Sequence, residues 1–224
     1  MSVFQRYAIY YVPDDPRLAE FGARWLGWDI ETGRAVERPV SAGAAEIVAS
    51  PRKYGFHGTM KPPFRMASGR HIDDLAADLA TFCSRTAPVS AGALHLARIG
   101  HFLALVPRGE IDALGDLAFS LVETFDPYRR EASLAELERR RGAGLSAAQD
   151  ANLVQWGYPY VGSEFRFHLT LTGKLDDRAI TETETIVSSL IPDLGSVFDV
   201  TSVALVGEET TGQFRMIHRY ALTG

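Results

Sequence analysis

Cysteine is nearly missing from this chain: Cys83 is the only one. No intrachain disulfide can form and a cysteine-rich metal site is excluded. Long apolar runs are missing too. No segment approaches 18 uncharged apolar residues, and the apolar run 7–12 is too short for a secretory signal and lacks a basic region before it. The expectation is a soluble cytoplasmic protein with no membrane partner. A basic surplus is also absent, since the formal net charge is −5. Proteins that grip long nucleic acid usually carry the opposite balance, because phosphate contacts supply most of their affinity. A small phosphorylated ligand needs only a local positive spot and stays open. The one basic run, Arg139-Arg140-Arg141, follows Glu136 and Glu138 and reads as a solvated helix face. Low-complexity sequence is lacking as well. With 46% hydrophobic and 23% charged residues in 224, the chain can bury a substantial core, as one large domain or two lobes sharing a cleft.

What is present is a repeat. The stretch YGFHGTMK at residues 54–61 returns as FRFHLTLT at residues 165–172. Each copy has an aromatic three before His, Phe one before it and Thr two after it. The similarity extends beyond these words. Each is read as a strand followed by a helix and then two strands, with Leu103 and Phe214 falling at the same offset from His57 and His168. Internal repetition of a β-α-β-β unit suggests two related lobes about a pseudo-two-fold axis. The division expected is one bilobal domain, 1–224, with a first unit at 54–107, a helical insertion at 108–164 and a second unit at 165–222.

The remaining elements follow from local signals. Residues 6–12 (RYAIYYV) read as a strand stopped by Pro13. Asp15 caps a helix with Pro16 at its first position. Residues 29–53 read as loop, with a short helix near Ala44. The first motif strand is expected to end at Pro62-Pro63, and a helix to follow over 72–85. Residues 94–99 and 102–106 form a tight pair of strands about Gly100-His101. Within the insertion, Ser133 with Glu136 and Ser146 with Gln149 match capping boxes, and Gly157 is a helix stop. A helix from Asp176 or Asp177 ends at Pro192, and strands occupy 197–206 and 214–222.

Alternation along a strand assigns the chemistry. Phe56 and Met60, and likewise Phe167, Leu169 and Leu171, point to the cores. His57, Thr59 and Lys61, and likewise Arg166, His168 and Thr170, point the other way. Two imidazoles facing each other suit displacement at phosphorus: one removes a proton from the attacking oxygen and the other delivers one to the leaving oxygen, near neutral pH. The threonines can bond non-bridging oxygens, and Lys61 or Arg166 can balance their charge. Tyr158 and Tyr160, on a loop before the second motif, can stack on a base or sugar. No metal or other cofactor is called for. A lone His-x-Thr would read as a structural feature of a strand; duplication is what favours function. His71, His95, His101 and His218 have no repeated counterpart, and Cys83 beside an apolar helix stripe reads as a packed thiol.

Paired His-x-Thr motifs on two β-α-β-β units resemble the 2H phosphoesterase superfamily, which includes RNA 2′,3′-cyclic phosphodiesterases. The strings RKYGFHGTMKPPF and WGYPYVGSEFRFHLTLTG are similar to a bacterial branch of phosphonate-metabolism proteins. The resemblance runs over nearly the whole chain. It implies an α+β fold with antiparallel sheets lining a central cleft and helices outside. It also implies metal-independent hydrolysis of a small cyclic phosphodiester, a ribose or nucleoside cyclic phosphate, with His57, Thr59, His168 and Thr170 as catalytic residues. Other readings are a binding module for a phosphorylated sugar or nucleotide that does not turn it over, and an RNA 2′,3′-cyclic phosphodiesterase or end-joining protein. The residues do not say which histidine is the base, nor the oligomeric state.

Overall fold

The computed structural model describes residues 4–142 and 144–224. In chain order the elements are β1 (Arg6–Tyr11), α1 (Pro16–Leu26), β2 (Trp28–Asp29), β3 (Arg34–Ala35), β4 (Gly58–Phe64), α2 (Ile72–Cys83), β5 (Val89–Gly92), β6 (Leu94–Ile99) and β7 (Phe102–Pro107). The helices α3 (Asp112–Thr124), α4 (Leu134–Arg141) and α5 (Ala147–Trp156) follow, then β8 (Leu169–Thr170), α6 (Asp177–Leu190), β9 (Val197–Val200), β10 (Ser202–Glu208) and β11 (Phe214–Ala221). The fold is α+β, built on a seven-stranded sheet of order β11-β10-β1-β4-β8-β7-β6 whose pairings are all antiparallel.

Local chemistry accounts for the helix ends. The Asp15 side chain accepts from the Arg17 and Leu18 amides ahead of Pro16, and Gly27 closes α1 in the left-handed region. Both capping boxes form, Ser133 with Glu136 and Ser146 with Gln149. Gly157 ends α5 at φ 70°, a conformation that costs glycine little.

The sheet divides where the two motif strands meet. β4 and β8 share a single ladder pair, Gly58 with Leu169, the residues immediately after His57 and His168. In a separate two-stranded sheet, the first residue of β5, Val89, pairs with the last of β9, Val200. Both pairs join residues separated by the same number of positions as the two histidines, as expected if a pseudo-two-fold axis passes through them. The units also interlock. The first motif strand lies in the half containing β10 and β11, and the second lies beside β7 and β6. Each half of the sheet therefore takes its motif strand from one unit and its hairpin from the other.

β1 is buried on both faces. Tyr7, Ile9 and Tyr11 enter the main core with Trp25, Phe56, Leu79, Leu103 and Phe167, while Ala8, Tyr10 and Val12 join a smaller cluster with Trp28, Ile30 and Phe214. The Trp25 indole donates to the Leu171 carbonyl at 2.7 Å, tying α1 to the second motif.

Several expectations change. β4 does not stop at Pro62-Pro63 but continues to Phe64. β8 reaches β4 only at Gly58, so beyond that point one edge of β4 is open, and on the other edge the register with β1 shifts between Ile9–Lys61 and Tyr7–Phe64, where both prolines fall. The second motif strand shrinks to Leu169–Thr170. It is followed by irregular bonding in which the Leu171 and Thr172 amides both donate to the Leu103 carbonyl. Residues 29–53 hold the β2–β3 pair and three short 3-10 turns, one of them over Ala45–Val48. The strand expected over 197–206 breaks at Thr201, its first part pairing with β5 and its second with β1.

Candidate active site

The Gly58–Leu169 pair sets the geometry. In an antiparallel ladder it places His57 across from Thr170 and Thr59 across from His168, with all four side chains on the face opposite those of residues 58 and 169. The two histidines become diagonal neighbours, about 7–8 Å apart in a regular ladder. Gly58 permits this crossing, since a Cβ there would lie 2.4 Å from the Phe167 ring.

The cavities reflect the crosswise arrangement. Thr59 and His168 line one of about 410 Å³. His57 and Thr170 line another of about 260 Å³. Phe102 borders both, its ring 5.7 Å from that of His168.

The two imidazoles are fixed by the same device. His57 Nδ1 lies 2.9 Å from the Gly55 carbonyl and His168 Nδ1 lies 2.7 Å from the Arg166 carbonyl. A carbonyl accepts only, so in each ring Nδ1–H donates and Nε2 is left for chemistry. Their surroundings then diverge. His57 Nε2 sits 3.1 Å from the Thr59 hydroxyl, which donates to it in the neutral ring. Its imidazole stacks on Tyr10 at 3.7 Å and 20°. Burial, with the His168 ring adding in the same direction against the Gly55 bond, pushes the His57 pKa down to about 4. His57 is therefore neutral at pH 7, as a proton acceptor must be. His168 is half-buried, and its Nε2 has no partner among the described residues.

Lys61 does not face the cleft. Tyr10 pairs with Thr59 but Ile9 pairs with Lys61, so β4 carries one extra residue, Met60, against β1. This bulge breaks the alternation and turns Lys61 to the side of Ile9, where the core lies. The side chain is 1% exposed, and its ammonium donates to the Val122 carbonyl at 2.9 Å with the Asp126 carboxylate 3.8 Å away. Burial pushes its pKa down to about 8, opposed by Asp126. Arg166, Tyr158 and Tyr160 do line the larger cavity beside His168. The Arg166 guanidinium donates to the Ser163 and Phe165 carbonyls. Tyr158 packs edge-on to Tyr160 at 5.5 Å.

Sequence reasoning missed three neighbours. Tyr10 and Phe102 approach the imidazoles from β1 and β7, which reach the motif strands through the long-range pairings β1–β4 and β7–β8. Lys174, exposed, lines the smaller cavity with His57 and Thr170 and takes the place expected of Lys61. Its only local signal is its position in TLTGK, just past the second motif. Among the described residues, no three His, Cys, Asp or Glu side chains are grouped to hold a metal ion, and no helix is long and apolar enough to cross a membrane.

Residues 59–215 match the family described as "Protein of unknown function (DUF1045)", and the chain belongs to that family. Two curated relatives carry the name ribose 1,5-bisphosphate phosphokinase PhnN. The protein from Janthinobacterium sp. (strain Marseille) is 38% identical over 76% of this chain and 39% of its own length. That from Laribacter hongkongensis (strain HLHK9) is 34% identical over 77% of this chain and 41% of its own. The chain thus spans about two-fifths of these relatives. Among solved structures, E. coli LigT complexed with 3′-AMP overlaps 98% of this chain and 99% of its own at 17% identity and TM-score 0.48. TT0787 of Thermus thermophilus overlaps 98% of each chain at 14% identity and TM-score 0.47.

Proposed function

We propose that this protein hydrolyses a small cyclic phosphodiester, using its two histidines for both proton transfers and no metal ion. The supporting observation is the crosswise meeting of two His-x-Thr copies at Gly58–Leu169, with each Nδ1 held by the carbonyl two residues earlier. His57 Nε2 takes a proton from water as the water oxygen bonds to phosphorus. The P–O ester bond on the far side breaks, and the leaving oxygen takes a proton from His168 Nε2. The product is a phosphomonoester, and proton exchange with solvent resets both rings. Thr59 and Thr170 donate to the non-bridging oxygens, and Arg166 and Lys174 balance the charge on either side.

The substrate we favour is a ribose or nucleoside cyclic phosphate. The relatives' name supplies a ribose phosphate as ligand class. This chain has no G-x-x-x-x-G-K-[ST] phosphate loop, so we carry over from that name the ligand and not the kinase reaction. The larger cavity, walled by Phe102, Phe119, Phe165, Tyr158 and Tyr160, suits a flat base and favours a nucleoside 2′,3′-cyclic phosphate as a second reading.

The test is turnover of nucleoside 2′,3′-cyclic phosphates and ribose cyclic phosphate with chelator present, followed by phosphorus NMR. A new phosphomonoester signal, lost in folded His57→Ala and His168→Ala proteins, is expected. Saturable binding with no product would favour a phosphate-binding module instead, and full activity in either variant would remove that histidine from the reaction.

A further inference from the structure

A further cavity, lined by neither histidine, has the opposite character to the chain as a whole. It lies where the end of β4, the segment 129–130 and the last turn of α4 meet the outer ends of β1 and β10. Six arginines line its roughly 270 Å³, Arg6, Arg65, Arg129, Arg130, Arg139 and Arg140, against two glutamates, in a protein of net charge −5.

The acids present are already engaged. Glu208 takes both ends of the Arg6 fork, with Nη2 to Oε1 at 2.7 Å. Arg129 is held by Asp126 through bonds of 2.7 and 3.0 Å and donates to the Gln155 carbonyl. The Glu136 carboxylate accepts from the Ser133 amide and hydroxyl in the capping box. Arg65, Arg130, Arg139 and Arg140 have no ion pair among the described residues. Arg140 is half-buried, and that burial pushes its pKa down from the ordinary guanidinium value. A helix C-terminus favours basic residues for its own sake. However, Arg141 of the same turn satisfies that preference while pairing with Asp150, and the preference does not require Arg139 and Arg140 to face a cavity shared with arginines from three other segments.

We propose that this cavity is a second anion site, built for a multiply charged phosphate group distinct from the one between the histidines. Planar forks from several segments match phosphate oxygens in pairs, and a partly desolvated guanidinium without a carboxylate gains most from an incoming anion. Thr59 pairs with Tyr10 and Phe64, at the cavity rim, pairs with Tyr7, so the two places lie three β1 residues apart, roughly 10 Å along an extended strand, too far for one phosphoryl group to serve both sites. The phosphate comes either from a remote part of the cleft's substrate or from a separate phosphorylated effector. Only that choice of source rests on the proposed activity; the site itself does not.

Inorganic pyrophosphate, titrated calorimetrically into the whole protein, tests it. Wild type and His57→Ala should bind alike. Arg139→Gln/Arg140→Gln should bind at least tenfold more weakly, as should Arg65→Gln, which lies outside the helix, each with an unchanged melting temperature. No binding to wild type, wild-type affinity in the arginine variants, or loss in His57→Ala alone would overturn the site. Kinetics then separate the sources. A KM raised in the double variant only for a cyclic phosphate bearing a second phosphate identifies a remote substrate group. An unchanged KM, with pyrophosphate altering kcat in wild type alone, identifies an effector.

Discussion

The two copies of aromatic-x-Phe-His-x-Thr are alike as sequence and unlike as places. The first histidine is stacked on Tyr10, bonded to Thr59 and buried enough to stay neutral. The second is open at Nε2 and faces the larger cavity beside an arginine and two tyrosines. Duplication supplied two equivalent imidazoles, and the neighbours made them inequivalent. Pushing apart the environments of paired titratable groups is how a single site obtains both an acid and a base, which in this account makes His57 the acceptor and His168 the donor.

The comparison breaks most visibly if the histidines are removed. His57→Ala and His168→Ala should each lower kcat by about 10²–10⁴-fold with circular dichroism unchanged; a large loss in one and none in the other would dissolve the pairing. Next come the threonines. Thr59→Val and Thr170→Val should each lose roughly ten- to a hundredfold in kcat. Thr59→Val should in addition alter the pH profile, because only Thr59 bonds a histidine.

The pH profile sharpens the contrast further. A base works unprotonated, so kcat/KM falls as pH drops through its free-enzyme pKa. With His57 pushed down to about 4, the acidic limb should lie well below the ordinary histidine value of about 6.5. A limb at that ordinary value in wild type would contradict His57 as the base. Gly58→Ala tests the crossing itself. The added methyl meets the Phe167 ring, and a loss of about 1–3 kcal/mol in denaturant unfolding is expected. The smallest effect on turnover belongs to Lys61→Met: kcat of the folded variant should stay within about twofold, since the ammonium it removes bonds the Val122 carbonyl and never reaches the cleft.

How much of this was legible depended on range. Asp15, Ser133, Ser146 and Gly157 announce their helix ends because caps are local chemistry. The motif histidines stood out because a repeat is visible without a structure. Lys61 was misassigned because the bulge at Met60 arises from pairing with β1, and nothing in TMKPP encodes it. β5, with the sequence VSAG, forms only by meeting β9 across the pseudo-two-fold, whereas β9 itself fell within the strand expected over 197–206. Tyr10 was readable as a strand residue, but its stacking on His57 needed the β1–β4 register. The single stretch of extended chain expected at residues 165–172 failed for the same reason, since its ladder lasts only as long as its neighbours reach it.

The most direct measurement is a crystal structure with vanadate bound, a mimic of phosphorus under attack. The account expects the ion between the rings, with His57 Nε2 and His168 Nε2 each about 2.6–3.2 Å from oxygens on opposite sides and both threonine hydroxyls in contact. A vanadate touching one histidine alone, or seated only among the arginines at the end of β4, would contradict it.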